Sequence, residues 1–165
     1  MFGRQWGYLL LMVILVSAVL LYPVSYLEVR GKRDSQPLLL KKVSPGDRFE
    51  FRYIHSVDKT PVSGFFVVTT RCTLKPIETR FLSYGPGLPS MEGKVVLETG
   101  EIVAKVEVEE MKQFSFFVSP MTNPSLIFKN ERLDFSSLKE GEVIRVEVKK
   151  YPMGGIFLRH GRKSN

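Results

Sequence analysis

Two short clusters concentrate the polar side chains that could do chemistry. The first, Tyr53-Ile-His-Ser-Val-Asp-Lys-Thr-Pro-Val62, sets His55, Ser56 and Asp58 within four positions. A base, a hydroxyl nucleophile and an orienting carboxylate are the parts of serine hydrolysis. The spacing argues against that use, because neighbours on a strand point to opposite faces and His55 would not meet Ser56. There is also no nucleophile elbow and no glycine-rich segment to form an oxyanion hole. His55, Asp58 and Glu78 could supply three metal ligands, but they carry no ligand-spacing signature. The one cysteine, Cys72, excludes an internal disulfide framework and a cysteine-based zinc site. No catalytic residue, metal or cofactor is therefore expected. His55 shares strand parity with Phe49, Phe51 and Tyr53, which predicts an inward-facing, core-edge imidazole bonded to a carbonyl or carboxylate. Asp58-Lys59-Thr60-Pro61 reads as a strand-to-strand turn. Asp58 and Thr60 would bond nearby N–H groups, and Pro61 restricts the residue before it. Such a turn is structural by itself, or a rigid loop that presents Lys59 to a partner.

The second cluster is Glu78-Thr-Arg-Phe-Leu-Ser-Tyr-Gly-Pro-Gly-Leu-Pro89. Glu78 and Arg80 share one strand face. Tyr84, Gly85, Gly87, Leu88 and Pro89 make a stiff, apolar-tipped turn in which Pro86 presets φ and Gly87 accepts a positive one. Stiff turns lose little entropy on docking, yet they are equally ordinary in β-sandwiches.

The elements that would carry these clusters are strands. Arg48–Tyr53 alternates aromatic and charged residues, Ile102, Ala104, Val106 and Val108 share one face, and so do Ile144, Val146 and Val148. Strict alternation marks half-buried strands. Further strands are expected at Leu38–Val43, Gly64–Thr70, Ile77–Ser83, Lys94–Leu97, Gln113–Val118 and Ser125–Phe128. Turn signals such as Ser44-Pro-Gly-Asp47 and Lys139-Glu-Gly141 separate them. About eight or nine short antiparallel strands at this spacing predict an all-β fold, a small β-sandwich or open barrel.

The N-terminus is different. From Gln5 to Leu27 there are 23 positions without a charge. About 20 such residues in a helix cross the hydrocarbon layer, and Trp6, Tyr8, Tyr22 and Tyr26 stand at the two ends, where amphipathic rings favour the headgroups. An uncleaved transmembrane helix is expected, with a signal peptide ending near Val16-Ser-Ala18 as the competing reading. The expected organisation is an anchor at 1–27, a linker at 28–37, a β-domain at 38–151 and a basic tail at 152–165.

The net charge of +7 resides in the flanks: between Val43 and Val148 there are 13 Lys and Arg against 15 Asp and Glu. A nucleic-acid partner is not expected, since such a domain carries its basic residues on a folded face. Basic flanks fit an anionic lipid surface. Arg30, Lys32 and Arg33 outweigh Arg4, so a literal positive-inside count would put the β-domain in the cytoplasm.

Taken together, the two clusters resemble the paired signatures of a prokaryotic domain-of-unknown-function family of small, N-terminally anchored β-domains. Genes of that family often stand beside those of TAXI-type TRAP transporters. The resemblance covers about Val43 to Val148 plus the apolar N-terminus. It departs at Asp58, where glutamate is expected, and at Pro86, which replaces a small residue. It implies a single-pass protein of the cell membrane with an extracytoplasmic β-domain, against the charge count. It also implies a partner in the transporter's membrane subunit or its solute-binding protein. The expected role is a non-enzymatic accessory or interaction module whose surface comprises His55, Ser56, Asp58, Lys59, Thr60, Pro61, Glu78, Arg80 and the 84–89 turn. The alternative is an independent small-ligand-binding module or a minimal hydrolase built around His55, Ser56 and Asp58.

Overall fold

Where apolar and charged side chains alternate, the strand they form has one dry face and one wet face. Ile144, Val146 and Val148 are buried, while Arg145, Glu147 and Lys149, which alternate with them, stay partly exposed. The computed structural model describes residues 2–82, 95–98 and 100–155. Helix α1 (Phe2–Leu21) leads into β1 (Pro23–Gly31), β2 (Leu39–Lys42), β3 (Arg48–Ile54), β4 (Pro61–Val68) and β5 (Leu74–Phe81). There follow β6 (Val95–Glu98), β7 (Glu101–Lys105), β8 (Gln113–Phe117), β9 (Ser125–Phe128), β10 (Glu131–Asp134) and β11 (Val143–Pro152). They form two antiparallel sheets, one in the order β2-β1-β11-β8 and one in the order β10-β9-β3-β4-β5-β7-β6.

The inner faces meet in one core. Leu27 and Val29 of β1 and Ile144, Val146 and Val148 of β11 pack with Phe49, Val68, Leu74, Leu126, Phe128 and Phe135. Edge strand β8 lies over β3 and β4 through Phe114, 4.8 Å from the Phe66 ring, and Phe116, 4.5 Å from Phe51. A second, smaller cluster joins Val62, Phe81, Ile102 and Ala104 to Tyr53 on the β5-β7 side.

Two strands lie outside the sequence expectation, and one changes the domain boundaries. Residues 28–31, expected as linker, complete β1, which pairs with β11 from Pro23↔Pro152 to Gly31↔Ile144 and with β2 on its other side. β1 is therefore an interior strand of its sheet, and the domain begins at Pro23 rather than at residue 38. Residues 32–37 are the β1–β2 turn, clasped by the Arg30 guanidinium, which donates to the Ser35 carbonyl at 2.6 Å. The second is β10, a short polar edge strand beside β9.

Every described side chain of α1 is exposed. Among the described residues no helix is long and apolar enough to cross a membrane, and the described side chains of α1 begin at Gln5. The end of the helix is fixed to the domain. The Met153 N–H donates to the Tyr22 carbonyl at 3.0 Å, and Gly154 approaches Leu20 so closely that a Cβ there would stand 3.2 Å from Leu20 Cδ2.

Candidate functional site

The first polar cluster is the β3–β4 turn. Strand β3 ends at Ile54, so the alternation that would turn His55 into the core stops one residue short of it. His55 is half-buried and organises the turn instead. Its N–H donates to the Thr60 carbonyl at 2.8 Å, and its carbonyl accepts from the Lys59 N–H at 3.0 Å. Imidazole Nδ1 accepts from the Val57 N–H at 3.3 Å and the Asp58 N–H at 3.5 Å. Its partners are thus backbone N–H groups, where a carbonyl or carboxylate had been expected. Neighbouring Ile54 is tied to the Thr122 carbonyl at 2.6 Å, which docks the turn against the β8–β9 connection. Ser56, Lys59 and Pro61 are exposed, Asp58 and Thr60 half-buried. Lys59 stands at φ 58°, in the left-handed region that costs a side-chain-bearing residue about 1–2 kcal/mol.

Strand β4 links this turn to the second cluster. Val62 pairs with Phe81 and Ser63 with Arg80. Glu78 and Arg80 do share a face, as predicted, and the Arg80 Nε donates to Glu78 Oε1. The guanidinium also lies 3.8 Å from Glu101 Oε2 and 5.2 Å from the centre of the Phe65 ring. On the same face Ser63 Oγ donates to Glu50 at 2.7 Å, and Arg52 bonds Glu50 at 2.9 Å. The result is a charged stripe across β3, β4, β5 and β7, with the turn at its end. Because both ions of the Glu78–Arg80 pair are partly exposed, water screens their attraction. Arg80→Ala is expected to lower the unfolding free energy by about 1 kcal/mol, through the lost pairs and the lost cation–π contact. Urea denaturation measures it. Tyr84, Gly85, Gly87, Leu88 and Pro89 lie outside the described residues.

For catalysis, His55 would have to offer a free nitrogen lone pair to Ser56, and its Nδ1 is engaged with backbone. Among the described residues no three His, Cys, Asp or Glu side chains converge on a point where a metal could sit.

A denser polar cluster surrounds Glu28, whose side chain is fully buried although it leaves the outer face of its sheet. Arg30 Nε donates to Oε1 at 2.8 Å, Lys149 Nζ lies 3.1 Å from the same oxygen, and the Tyr151 hydroxyl donates to Oε2. Lys149 also pairs with Glu147 at 2.7 Å. Burial pushes the Glu28 carboxyl up, but the bonds from Arg30, Tyr151 and Lys149, with the Arg30 charge, outweigh it and hold the carboxyl at about 2. Sequence reasoning missed this cluster because its members are 121 and 123 positions apart. One signal was present: Glu28 is the only acid before Asp34, set between apolar Leu27 and Val29.

A family model described as a domain of unknown function (DUF1850) matches residues 49–135. No curated protein and no solved structure matches the chain. The matched segment spans β3 to β10, with both polar clusters, and leaves β1, β2 and β11 outside it.

Proposed function

The chain belongs to the DUF1850 family, whose model covers more than half of it, and from that premise we propose a non-enzymatic interaction module held at the outer face of the cell membrane by α1. Its partner is a TAXI-type TRAP transporter, through the membrane subunit or the solute-binding protein. The observation that carries the membrane reading is α1 itself, whose side chains from Leu9 to Leu21 are apolar apart from Ser17 and exposed on every side. A helix apolar all round is one that lipid or protein covers. The transporter and the extracytoplasmic side rest on the resemblance of the two clusters, which outweighs the positive-inside count. Tethering in one membrane raises the effective concentration of two partners to about the millimolar range.

The contact surface in this reading is the His55–Pro61 turn with Glu78 and Arg80 beside it. A turn locked by its own backbone bonds loses little freedom on docking. The hydrolase alternative has less support, because the His55 nitrogen nearest the turn already accepts two N–H bonds.

The test exploits the strain at Lys59. Lys59→Gly removes the cation and relieves the left-handed backbone, so stability is expected to stay level or rise by up to about 1 kcal/mol. The full chain, crosslinked in native membranes and purified by affinity, is expected to carry transporter subunits in wild type and to lose them in Lys59→Gly. Equal recovery from both would remove the turn from the interface. No transporter subunit with either would overturn the partner.

A further inference from the structure

The fold sorts the basic residues of the two flanks by their distance from α1. β1 leaves the helix at Pro23 and carries the chain to Gly31, about 26 Å away along the strand. Arg30, Lys32 and Arg33 therefore stand at the end of the domain far from the helix. Arg30 is engaged there with Glu28 and the Ser35 carbonyl, and the Lys32 N–H donates to the Val143 carbonyl. The His55–Pro61 turn lies at the same end, because Ile54 is tied to the Thr122 carbonyl, just past β8, whose Phe117 pairs with Val143.

A different set of cations collects where α1 ends. Lys42 of β2 lies opposite Tyr26, and Lys150 of β11 opposite Ser25, so the two flank β1 just past the helix. The Val43 N–H donates to the Ser25 carbonyl, which brings the β2–β3 connection and Arg48 behind it to this end. Lys129 arrives from the β9–β10 turn, with Nζ 3.5 Å from the Lys42 carbonyl. All four cations are exposed. Of the acids at this end, Asp47 holds Lys129 at 2.9 Å, and Glu110 accepts from the Thr73 and Thr69 hydroxyls, with Glu107 and Glu109 beside it along β5. Among the described residues no carboxylate pairs with Lys42, Arg48 or Lys150. Beside Lys42, Tyr26 meets Tyr151 edge to face at 6.2 Å. Such amphipathic rings favour a headgroup layer.

We propose that this end of the domain rests on anionic phospholipid headgroups, with Lys42, Arg48 and Lys150 facing the phosphates. The inference rests on the reading of α1 as a membrane helix, and adds to it the lipid charge that the domain recognises. Three cations without carboxylate partners are complementary to a negative surface, and the field of such a surface fades within about 10 Å at about 0.1 M salt. Cations about 26 Å away, Lys32 among them, lie beyond that reach. An acidic protein would offer the same charge, but α1 leaves from this end and brings the lipid surface to it. The far end, with the His55–Pro61 turn, is then left open to a protein partner.

The test uses the full chain in nanodiscs of phosphatidylcholine, alone or with about 30 mol% phosphatidylglycerol. Its lysines are labelled with an uncharged acetylating reagent and read by mass spectrometry. Lys42 and Lys150 are expected to react at least about threefold more slowly in the anionic discs, and Lys32 and Lys59, at the far end, at equal rates in both. Salt at about 1 M, which shortens the field to about 3 Å, should remove the difference. Equal rates for Lys42 and Lys150 in the two discs would overturn the proposal and leave these cations to an acidic protein. Equal slowing of all four lysines would overturn it as well. Flotation with vesicles of the same two compositions separates this failure from failure of the membrane reading. A chain that floats with neither is not anchored by α1, and both inferences fall. A chain that floats with both but labels equally loses the lipid contact alone.

Discussion

Replacing Glu28 by glutamine is expected to lower the unfolding free energy of the full chain at pH 7 by about 2–3 kcal/mol, and to remove most of its loss of stability between pH 4.5 and pH 2. The folded carboxyl titrates at about 2 and an ordinary one at 4.5. A folded-state value below the unfolded one contributes stability that is fully present above 4.5 and disappears as pH falls through about 2. The difference corresponds to at most about 3 kcal/mol, and water around the partly exposed Arg30 and Lys149 screens it to about 2–3 kcal/mol. Glutamine keeps the shape and one accepting oxygen, but it loses the attraction to Arg30 and Lys149. Asp47 and Asp134 are also held below the usual carboxylate value, chiefly by bonds from Ser44 and Ser136 respectively, so a shallower acid slope persists in the variant. Urea denaturation of both proteins at several pH values reads this directly. Parallel curves of stability against pH would show that Glu28 does not carry the slope.

The second large effect concerns where the domain begins. A chain starting at Pro23 is expected to fold cooperatively, and one starting at Leu38 is expected not to fold at all. The shorter chain loses Leu27 and Val29, both fully buried, and with them the strand between β2 and β11. Emptying one buried leucine site alone costs about 2–5 kcal/mol, and a domain has about 5–15 kcal/mol in total. The loss also strands the ladder groups of both neighbours. Near-ultraviolet circular dichroism and the sharpness of thermal melting distinguish the two chains. A sharp transition from the Leu38 chain would demote β1 to an accessory strand.

What could be read from the sequence followed from how each strand meets water. β3 and β11 have one wetted face, so Arg48–Tyr53 and Ile144–Val148 alternate visibly. In β7, by contrast, Val103 is buried with Ile102 and Ala104, and only the ends, Glu101 and Lys105, show the period. β1 alternates too, with Leu27 and Val29 inward and Glu28 and Arg30 outward, but it follows an apolar run without a break and merges into it. β10 is an edge strand with Leu133 as its apolar anchor and gives almost no period. β4 runs Pro61–Val68 against an expected Gly64–Thr70, because Phe65, Phe66, Val67 and Val68 form a continuous apolar run, with a register shift between Phe65 and Phe66. The Glu78–Arg80 pair was legible because two positions along one strand share a face. The Glu28 cluster was not, because it depends on β1 lying against β11, a pairing that local spacing does not encode.

The direct passage from α1 into β1 has a mechanical consequence. A force drawn along the helix loads β1 lengthwise, and the hydrogen bonds to β2 and β11 lie across that direction and share the load. They would have to yield together, as in shear, whereas a pull across a sheet edge opens bonds one after another. The Met153 bond to Tyr22 sits where that load enters, so the polar backbone there is braced from the other end of the chain. The domain is thus mounted like a blade on a shaft, able to transmit torque and tension from whatever holds α1 to the loops at its far strands.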